Sequence, residues 1–260
     1  MSQLISTDQK PLVSVITVTF NAANAIATTM ESVRSQSAVN FEHIIMDGAS
    51  TDNTLDIVRN LASSRTVVFS SPDNGIYDAM NKALDVAKGQ YVLFLNAGDS
   101  FANNLSLQRY IDAIHDNNFP GVIYGQTIIV DKQNNILGER HLKAPEHLTL
   151  RSFGDGMVVC HQAFMALKKI APLYDLRYRF SADYEWCIRC LQHSRSNIYL
   201  GQEPVIHYLS EGLTTRNHKQ SLKERFNIMC VYFGTFTTIF RHLKFALRYA
   251  KRRHNSINVQ

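Results

Sequence analysis

Several features that would assign this sequence to a class are missing or scarce. It has four cysteines in 260 residues, Cys160, Cys187, Cys190 and Cys230, which is too few for a disulfide scaffold of this size. No run of 18 apolar residues occurs, so we expect no membrane-spanning helix. The first residues show no signal-peptide pattern, and a chain in the reducing cytoplasm is the simplest expectation.

Two common nucleotide-binding patterns are also absent. No G-x-G-x-x-G follows the first predicted strand, and no G-x-x-x-x-G-K-S/T occurs anywhere. These absences argue against a dinucleotide-binding domain and against a P-loop. A nucleotidyltransferase would need a glycine-rich, basic loop near the N-terminus, and the sequence lacks that loop as well.

The composition is that of a globular protein with an uneven charge. Hydrophobic residues make up 45% and charged residues 19%, and 260 residues suit one α/β domain or one domain with an appendage. Residues 212–260 hold ten Lys or Arg and one acid, whereas residues 1–211 carry a net charge of −4. Such a basic tail indicates an anionic partner, either membrane lipid or nucleic acid.

The first hundred residues alternate between strand and helix patterns. Short β-branched runs predict buried strands, and the segments between them have helical periodicity. This order predicts a parallel, Rossmann-like α/β sheet with right-handed crossovers, and such sheets bind ligands at the carboxyl ends of their strands. The predicted strands are 13–20, 41–46, 66–70 and 91–95, and the predicted helices are 24–36, 52–61 and 76–87.

The rest of the chain is less regular. Later strands are predicted at 122–130, 136–142 and 157–167, and helices at 181–193 and 221–254.

Carboxylates are concentrated at the predicted strand ends, at Asp47, Asp52, Asp73, Asp78 and Asp99. A carboxylate there can accept a base N–H or a ribose hydroxyl, or it can bind a hard cation such as Mg²⁺ or Mn²⁺. The alternative for each one is a helix cap or a turn residue. The convergence of four strand ends on one rim favours the binding role.

Several segments together resemble a known family. VSVITVTFN, DGASTDNT, SPDNGIYDAMNKAL, GQYVLFLNAGD and FSADYEW are similar to glycosyltransferase family 2, which has the inverting GT-A fold. The likeness is greatest over residues 12–100 and weaker to about 210, and it is closest to bacterial enzymes of capsule, O-antigen and colanic-acid-type polysaccharide assembly. It implies a GT-A domain over 1–215, with a nucleotide-binding part at 12–100 and an acceptor part at 101–215, followed by a basic helical tail at 216–260.

The resemblance implies roles for particular residues. Asp99 would hold Mn²⁺ or Mg²⁺ against the donor diphosphate, where a cation acts as a Lewis acid on the departing phosphate, and His207 is a further candidate ligand. The nucleotide sugar would be bound by the strand ends and the turns that follow them, at Thr19, Phe20, Asn21, Asp47, Gly48, Ser50, Asp52, Asp73, Asn74, Gly75 and Asn96.

The metal motif departs from the family pattern. Family members often have Asp-Ala-Asp-Asp, whereas this chain has Asn96, Ala97, Gly98 and Asp99, so one carboxylate remains. We favour an active enzyme. The alternative is a catalytically inactive GT-A module that binds a nucleotide or a partner protein at the membrane.

An inverting transfer needs a base that takes the proton of the acceptor hydroxyl. The resemblance places that base at Asp183 in FSADYEW, and the alternative role for this residue is an N-cap of the following helix. His161 lies either in the core or on the acceptor side. Cys187 and Cys190, three apart on a predicted helix, are expected to be small core fillers.

The tail leaves two readings open. Residues 228–240 are apolar and aromatic and are followed by RHLKFALRYAKRRH, which suits an interfacial helix on the cytoplasmic face of the inner membrane. The alternative is a helix packed on the catalytic domain. We expect no nucleic-acid partner, because no nucleic-acid-binding module accompanies the tail. The processive Gln-x-x-Arg-Trp motif is absent, so we expect transfer of a single sugar to a lipid-linked surface glycan.

Overall fold

The fold is known from a computed structural model, which describes residues 10–210 and 218–243. In these residues nine strands form one sheet. The strands are β1 (Val13–Thr19), β2 (Phe41–Asp47), β3 (Thr66–Ser70), β4 (Tyr91–Phe94), β5 (Ser100–Phe101), β6 (Val122–Val130), β7 (Ile136–Glu139), β8 (Phe164–Leu167) and β9 (Asn197–Leu209).

Helices cover both faces of the sheet. The α-helices are α1 (Ile26–Arg34), α2 (Thr54–Leu61), α3 (Ile76–Val86), α4 (Ser106–Asp116), α5 (Ala182–His193), α6 (His218–Phe233) and α7 (235–243). Short 3₁₀ turns occupy Leu150–Asp155, His161–Ala163 and Lys168–Ile170. In the part of the chain described, no helix is both long enough and apolar enough to cross a bilayer.

The strands are parallel in one half of the sheet and mostly antiparallel in the other. Its order is β3-β2-β1-β4-β8-β6-β9-β5, with β7 paired to β6 outside this path. The first four strands are parallel, as the alternating sequence pattern predicted. Beyond β4 the pairs with β8, β5 and β7 are antiparallel, and only β6 and β9 run parallel. The parallel half therefore presents its strand ends on one rim.

Burial explains why β1 lies in the middle of the parallel half. All seven of its residues are buried, and it pairs with β2 on one side and β4 on the other. Its side chains alternate between two large apolar clusters. Ile16 joins the cluster that contains α3, α5 and Trp186, while Val13 and Val15 join the cluster that contains α4.

Two predicted elements differ from the structure, and two of the longer observed elements were not predicted. Within 157–167 only Phe164–Leu167 is a strand, because a buried apolar run fits a compact loop and a 3₁₀ turn as well as a strand. The helix α4 and the long strand β9 were not predicted. The predicted helix at 221–254 is interrupted at Gly234, which has a φ of 84°.

Other predictions fall partly outside the described residues. The proposed domain boundary after residue 215 lies in 211–217, and most of the basic end, from 244 onward, is also outside. The part of the tail that is described packs on the domain through Ile228 and Met229, both buried in the cluster around Trp186.

A buried carboxylate ties β1 and β2 to the turn that precedes β4. Oε1 of Glu42 accepts hydrogen bonds from the Ser14 hydroxyl at 2.6 Å, the Lys88 N–H at 2.6 Å and the Gly89 N–H at 3.2 Å. Glu42 is 8% exposed, so loss of its side chain leaves the buried Ser14 hydroxyl without its acceptor and the part-buried Lys88 N–H without this partner.

We therefore expect Glu42→Ala to lower the free energy of unfolding by about 2 kcal/mol. The measurement is urea denaturation followed by circular dichroism. Glu31→Ala, which removes an exposed glutamate from α1, is the control and should change stability by less than about 0.5 kcal/mol. Equal stability of both variants would contradict this role for Glu42.

Candidate active site

Three strand ends are held side by side on one rim. In the parallel registers Thr19 pairs with Asp47, and Asp47 pairs with Ser70. The Asp47 carboxylate is fully buried and accepts hydrogen bonds from the Ser50 N–H at 3.0 Å, the Ser50 hydroxyl at 2.5 Å and the Ser70 hydroxyl at 2.7 Å. These hydrogen bonds fix the turn after β2 and the end of β3.

The loops after β1 and β2 are fastened to each other. The Asn21 N–H donates to the Ser50 hydroxyl at 2.8 Å, and the Thr51 N–H donates to Oδ1 of Asn21 at 2.9 Å. Oδ2 of Asp52 accepts from the Ala23 N–H at 3.1 Å. A hydrogen bond from the Thr54 hydroxyl is the main cause that lowers the pKa of Asp52. Asn21 has a φ of 47°, a left-handed conformation that asparagine tolerates better than most residues.

An exposed aromatic ring lies above this rim. Phe20 is 61% exposed, and a Cβ added to Gly48 would come within 3.3 Å of its ring and would collide with the Asp73 carboxylate. Gly48 thus leaves room for Phe20 and Asp73 to approach each other. An exposed ring beside a carboxylate can stack on a base and accept a base N–H or a ribose hydroxyl.

The turn before α3 is rigid. Oδ1 of Asp73 accepts from the Gly75 N–H at 2.8 Å, and Oδ2 of Asp78 accepts from the Asn74 N–H at 2.9 Å. That backbone hydrogen bond is the main cause that lowers the pKa of Asp78. Gly75, with a φ of 115°, precedes the helix. Asp73 and Asp78 therefore have the turn-forming role that was the alternative from the sequence, and Asp73 keeps a second oxygen against Gly48.

Two oxygens of the rim have no internal partner. The Thr19 hydroxyl and Oδ1 of Asn96 are buried, and neither has a hydrogen-bond partner within residues 10–210 and 218–243. Buried polar atoms are normally paired, because an unpaired one costs free energy. These two atoms therefore favour a polar ligand or a cation at the end of β1 and β4.

Asp99 lies in a buried turn after β4. Its Oδ1 accepts from the Leu209 N–H at 2.9 Å, and its carboxylate is also hydrogen-bonded by the Gln162 side chain. The Thr29 hydroxyl fixes the turn, because it donates to the Asp99 carbonyl at 2.7 Å and accepts from the Gly98 N–H at 2.9 Å. Burial raises the pKa of Asp99 to about 7, against the two opposing hydrogen bonds.

The residues at this turn fit a divalent cation whose remaining coordination positions are filled by oxygens of a bound substrate. Asp99 offers a carboxylate whose buried charge a cation would compensate, and Asn96 offers an unpaired carbonyl oxygen. No group of three His, Cys, Asp or Glu suited to a metal is found in the described residues. The protein oxygens alone would hold the ion weakly, and phosphate oxygens would have to supply the rest.

His207 lies close to this turn in the sheet. It pairs with Ser100 across β9 and β5, and its ring hydrogen-bonds Oδ1 of Asn134 at 3.1 Å. Burial lowers the pKa of His207. Its role as a metal ligand stays a prediction.

Asp183 lies in the first turn of α5. It is the second residue of α5, which begins at Ala182, so it is not the N-cap residue. Its Oδ1 accepts from the Tyr184 N–H at 2.9 Å and from the Tyr77 hydroxyl at 3.1 Å. The Tyr208 hydroxyl, whose pKa is raised mainly by burial, is also within electrostatic reach of both Asp99 and Asp183. Both acids therefore lie within electrostatic reach of one hydroxyl.

Other residues singled out in the sequence have structural roles. His161 is buried, hydrogen-bonds the Tyr174 hydroxyl at 2.7 Å and stacks on Phe94, and burial lowers its pKa to about 4. Cys187 and Cys190 are fully buried free cysteines within the apolar cluster around Trp186, as expected of core fillers.

The family model described as "Glycosyl transferase family 2" matches residues 14–171. The chain belongs to glycosyltransferase family 2. It is a glycosyltransferase, and the family resemblance and the enzyme class predicted from the sequence are confirmed.

Sequence relatives agree with the family. A "PGL/p-HBAD biosynthesis glycosyltransferase" of Mycobacterium bovis is 33% identical over 190 residues, which cover 70% of this chain and 71% of the relative. A "Putative teichuronic acid biosynthesis glycosyltransferase TuaG" of Bacillus subtilis is 34% identical over 146 residues, covering 55% and 57%.

Solved structures confirm the GT-A fold of this family 2 chain. S. aureus TarS 1–349 in complex with UDP-GlcNAc has a TM-score of 0.66 at 20% identity, over 85% of this chain and 65% of that one. The mannosyltransferase PcManGT of Pyrobaculum calidifontis, in complex with GDP-Man and Mn²⁺, has a TM-score of 0.62 at 14% identity, over 97% and 82%.

Some site contacts of this family 2 enzyme were not found from the sequence. Gln162 reaches Asp99 across 63 residues of chain, and Tyr77 reaches Asp183 across 106. Tyr77 stands in the segment SPDNGIYDAMNKAL, which carried part of the resemblance, but nothing in its pattern indicates a partner so distant in sequence.

The raised pKa of Asp99 predicts a pH-dependent stability. Between pH 4 and 7 the unfolded carboxyl loses its proton while the folded one keeps it, so the ligand-free protein should lose stability as pH rises towards 7. Asp99→Asn should flatten this fall by up to about 4 kcal/mol. Urea unfolding at pH 5, 6, 7 and 8 measures it, with the exposed Asp116→Asn as control. Parallel curves for wild type and Asp99→Asn would show that burial of Asp99 has no such cost.

Proposed function

We propose that the protein is an active, metal-dependent, inverting transferase that moves one sugar from a nucleoside diphosphate to a surface-polysaccharide acceptor. The observation that carries the proposal is that, within the described residues, two buried oxygens at the ends of β1 and β4, the Thr19 hydroxyl and Oδ1 of Asn96, have no hydrogen-bond partner. Asn96 lies in the same turn as the buried Asp99. The TuaG similarity and the nucleotide sugars bound by the two solved structures support the substrate class. A donor with a UDP, GDP or dTDP moiety fits equally well.

The rim supplies the donor site. Phe20 would stack on the base, with Asp73 within reach of the base edge or the ribose, while Asp47, Ser50, Asn21 and Asp52 keep the two loops in place. Asn74 and Gly75 begin the helix beside the donor. The residues that would hold the cation are Asp99 and Asn96, and a bound Mn²⁺ or Mg²⁺ would supply Lewis-acid stabilisation of the departing diphosphate.

Asp183 would then act as the base. The acceptor oxygen attacks the anomeric carbon from the side opposite the diphosphate, the bond from carbon to phosphate oxygen breaks, and Asp183 takes the hydroxyl proton. A single displacement of this kind inverts the configuration at that carbon. Among the described residues only Oδ1 of Asp183 is used in hydrogen bonds, so Oδ2 is the oxygen left for this proton.

Asp183→Asn should reduce transfer about 10²- to 10³-fold, because the amide cannot take the proton. The donor is first chosen by thermal shift with UDP, GDP, dTDP and their sugar forms, with and without Mn²⁺. Transfer of radiolabelled sugar from that donor into a bacterial membrane fraction is then measured, and donor affinity should change by less than about threefold in Asp183→Asn. Asp175→Asn, which changes a partly buried loop acid paired with the exposed Arg177, is the matched control.

The inactive-module alternative predicts different results. Nucleotide binding without any transfer by the wild type would support it, and full activity of Asp183→Asn would reject the assignment of the base. A thermal shift with Mn²⁺ and nucleotide that persists in Asp99→Asn would reject the metal site.

We further propose that the C-terminal helices dock on an anionic lipid surface at the cytoplasmic face of the inner membrane, where a lipid-linked acceptor would lie. Six large apolar side chains of α6 and α7 are exposed, Leu222, Val231, Phe236, Ile239, Phe240 and Leu243, with Phe236 90% exposed. The sequence that follows contributes Lys244, Arg248, Lys251, Arg252 and Arg253. Exposed apolar residues next to basic ones are the chemistry of an interfacial segment.

The double variant Phe236→Ser/Phe240→Ser should reduce binding to vesicles of 30% phosphatidylglycerol about tenfold or more, because both exposed rings are lost from the interface. Vesicle co-sedimentation measures this effect, with pure phosphatidylcholine vesicles as the low-charge reference. Leu173→Ser/Leu176→Ser removes two leucines elsewhere that are 53% and 54% exposed, and this variant should bind as the wild type does. Equal binding by both double variants would reject the docking surface.

A further inference from the structure

The base of the proposed reaction is attached to the donor side of the cleft by one hydroxyl. Tyr77 lies in the first turn of α3, two residues after Gly75, and its hydroxyl donates to Oδ1 of Asp183 at 3.1 Å. The side chain is 9% exposed. This is the only direct side-chain hydrogen bond to Asp183 among the described residues, since the other donor is the backbone of Tyr184.

The Tyr77 ring is held so that its hydroxyl cannot easily turn away. It stacks on Tyr174 with 5.5 Å between ring centroids, and Tyr174 stacks on Trp186 at 5.2 Å. The Tyr174 hydroxyl is hydrogen-bonded to His161 at 2.7 Å, so this second tyrosine is fixed at both its face and its tip. The stack gives Tyr77 a rigid support on the side away from Asp183.

The direction of the hydrogen bond is settled by ionisation. Burial and the charge of Asp183 raise the pKa of Tyr77 well above its usual range, against the smaller effect of Arg225. The phenol therefore keeps its proton at every pH at which an enzyme is assayed, and it donates to the carboxylate. A donated hydrogen bond favours the ionised form of a carboxylate, which is the form that a base requires.

Four titratable side chains around Asp183 do not change charge between pH 5 and pH 8. Burial lowers the pKa of His161 to about 4, and it raises those of Tyr174, Tyr208 and Cys187 above their ordinary values. All four are neutral from pH 5 to pH 8. Arg225 on α6 lies within electrostatic reach of Tyr77.

We propose that Tyr77 is a positioning residue for Asp183. Its hydrogen bond fixes Oδ1 and so turns Oδ2 towards the acceptor hydroxyl. This inference rests on the proposed role of Asp183 as base. The same hydrogen bond joins Asp183 to α3, whose first turn directly follows the predicted donor contacts at 73–75.

Tyr77→Phe removes the hydroxyl and keeps the ring. The expected result is a fall of about tenfold in kcat, because Oδ1 of Asp183 loses the side-chain hydrogen bond that holds the carboxylate in place for the acceptor hydroxyl. The donor KM should change by less than about twofold. Transfer into a membrane fraction across pH 5.5–8.5, with saturating Mn²⁺, measures both quantities.

Tyr174→Phe is the matched control, because it removes a hydroxyl from the same aromatic stack without touching Asp183. It should leave kcat within about twofold of the wild-type value even if it lowers the Tm. A wild-type kcat in Tyr77→Phe, or a loss of activity that comes entirely from a higher donor KM, would overturn the proposal.

A double variant separates this inference from the proposed function. If the hydroxyl acts through Asp183, Tyr77→Phe should have no further effect in the Asp183→Asn background. Additive losses would overturn the positioning role while leaving Asp183 as the base. Wild-type activity of Asp183→Asn alone would instead reject the base, and with it the proposed function.

Discussion

The parallel pairing of β1 between β2 and β4 is the constraint on which the rest of the site depends. All seven residues of β1 are buried, so a shift of one residue would turn apolar side chains out of both clusters. The fixed register brings Thr19, Asp47 and Ser70 into one row at the strand ends. The loops that follow are then short enough to be fastened by hydrogen bonds between Asn21, Ser50 and Thr51.

The acids on this rim divide into two kinds. Asp47, Asp52 and Asp78 are occupied by hydrogen bonds from neighbouring backbone and hydroxyl groups, so they shape the loops. Asp99 is buried with less compensation, and the result is a pKa raised to about 7. Because burial without compensation lowers stability, such a group is retained more readily where a ligand supplies the missing positive charge. A reduced metal motif is thus compatible with a cation shared with a diphosphate.

The sequence predicted the parallel half of the sheet well and the second half poorly. β1 to β4 and α1 to α3 follow from buried β-branched runs and helical periodicity, which are local signals. β9 contains Gly201 and Pro204 and alternates little, so its pairing with β6 depends on tertiary contacts. The contacts of Asp183 with Tyr77 and of Asp99 with Gln162 join residues far apart in the chain, and neither could be predicted from spacing. The site residues could be named from the family resemblance, but their partners could not.

The same C-terminal helix contacts the segment that carries Asp183, the proposed base, and also bears part of the exposed apolar surface. The Glu224 carboxylate on α6 accepts from the Arg179 N–H at 2.9 Å and the Phe180 N–H at 2.8 Å, just before α5 begins. About two turns further along α6, the Tyr232 hydroxyl donates to Glu185, which lies two residues after Asp183. Helix α6 is therefore fixed to α5 at two points, while Val231 and the side chains of α7 remain exposed. A lipid surface that bound these residues would lie against the element that orients Asp183, so the acceptor would be presented on the side from which its proton is taken.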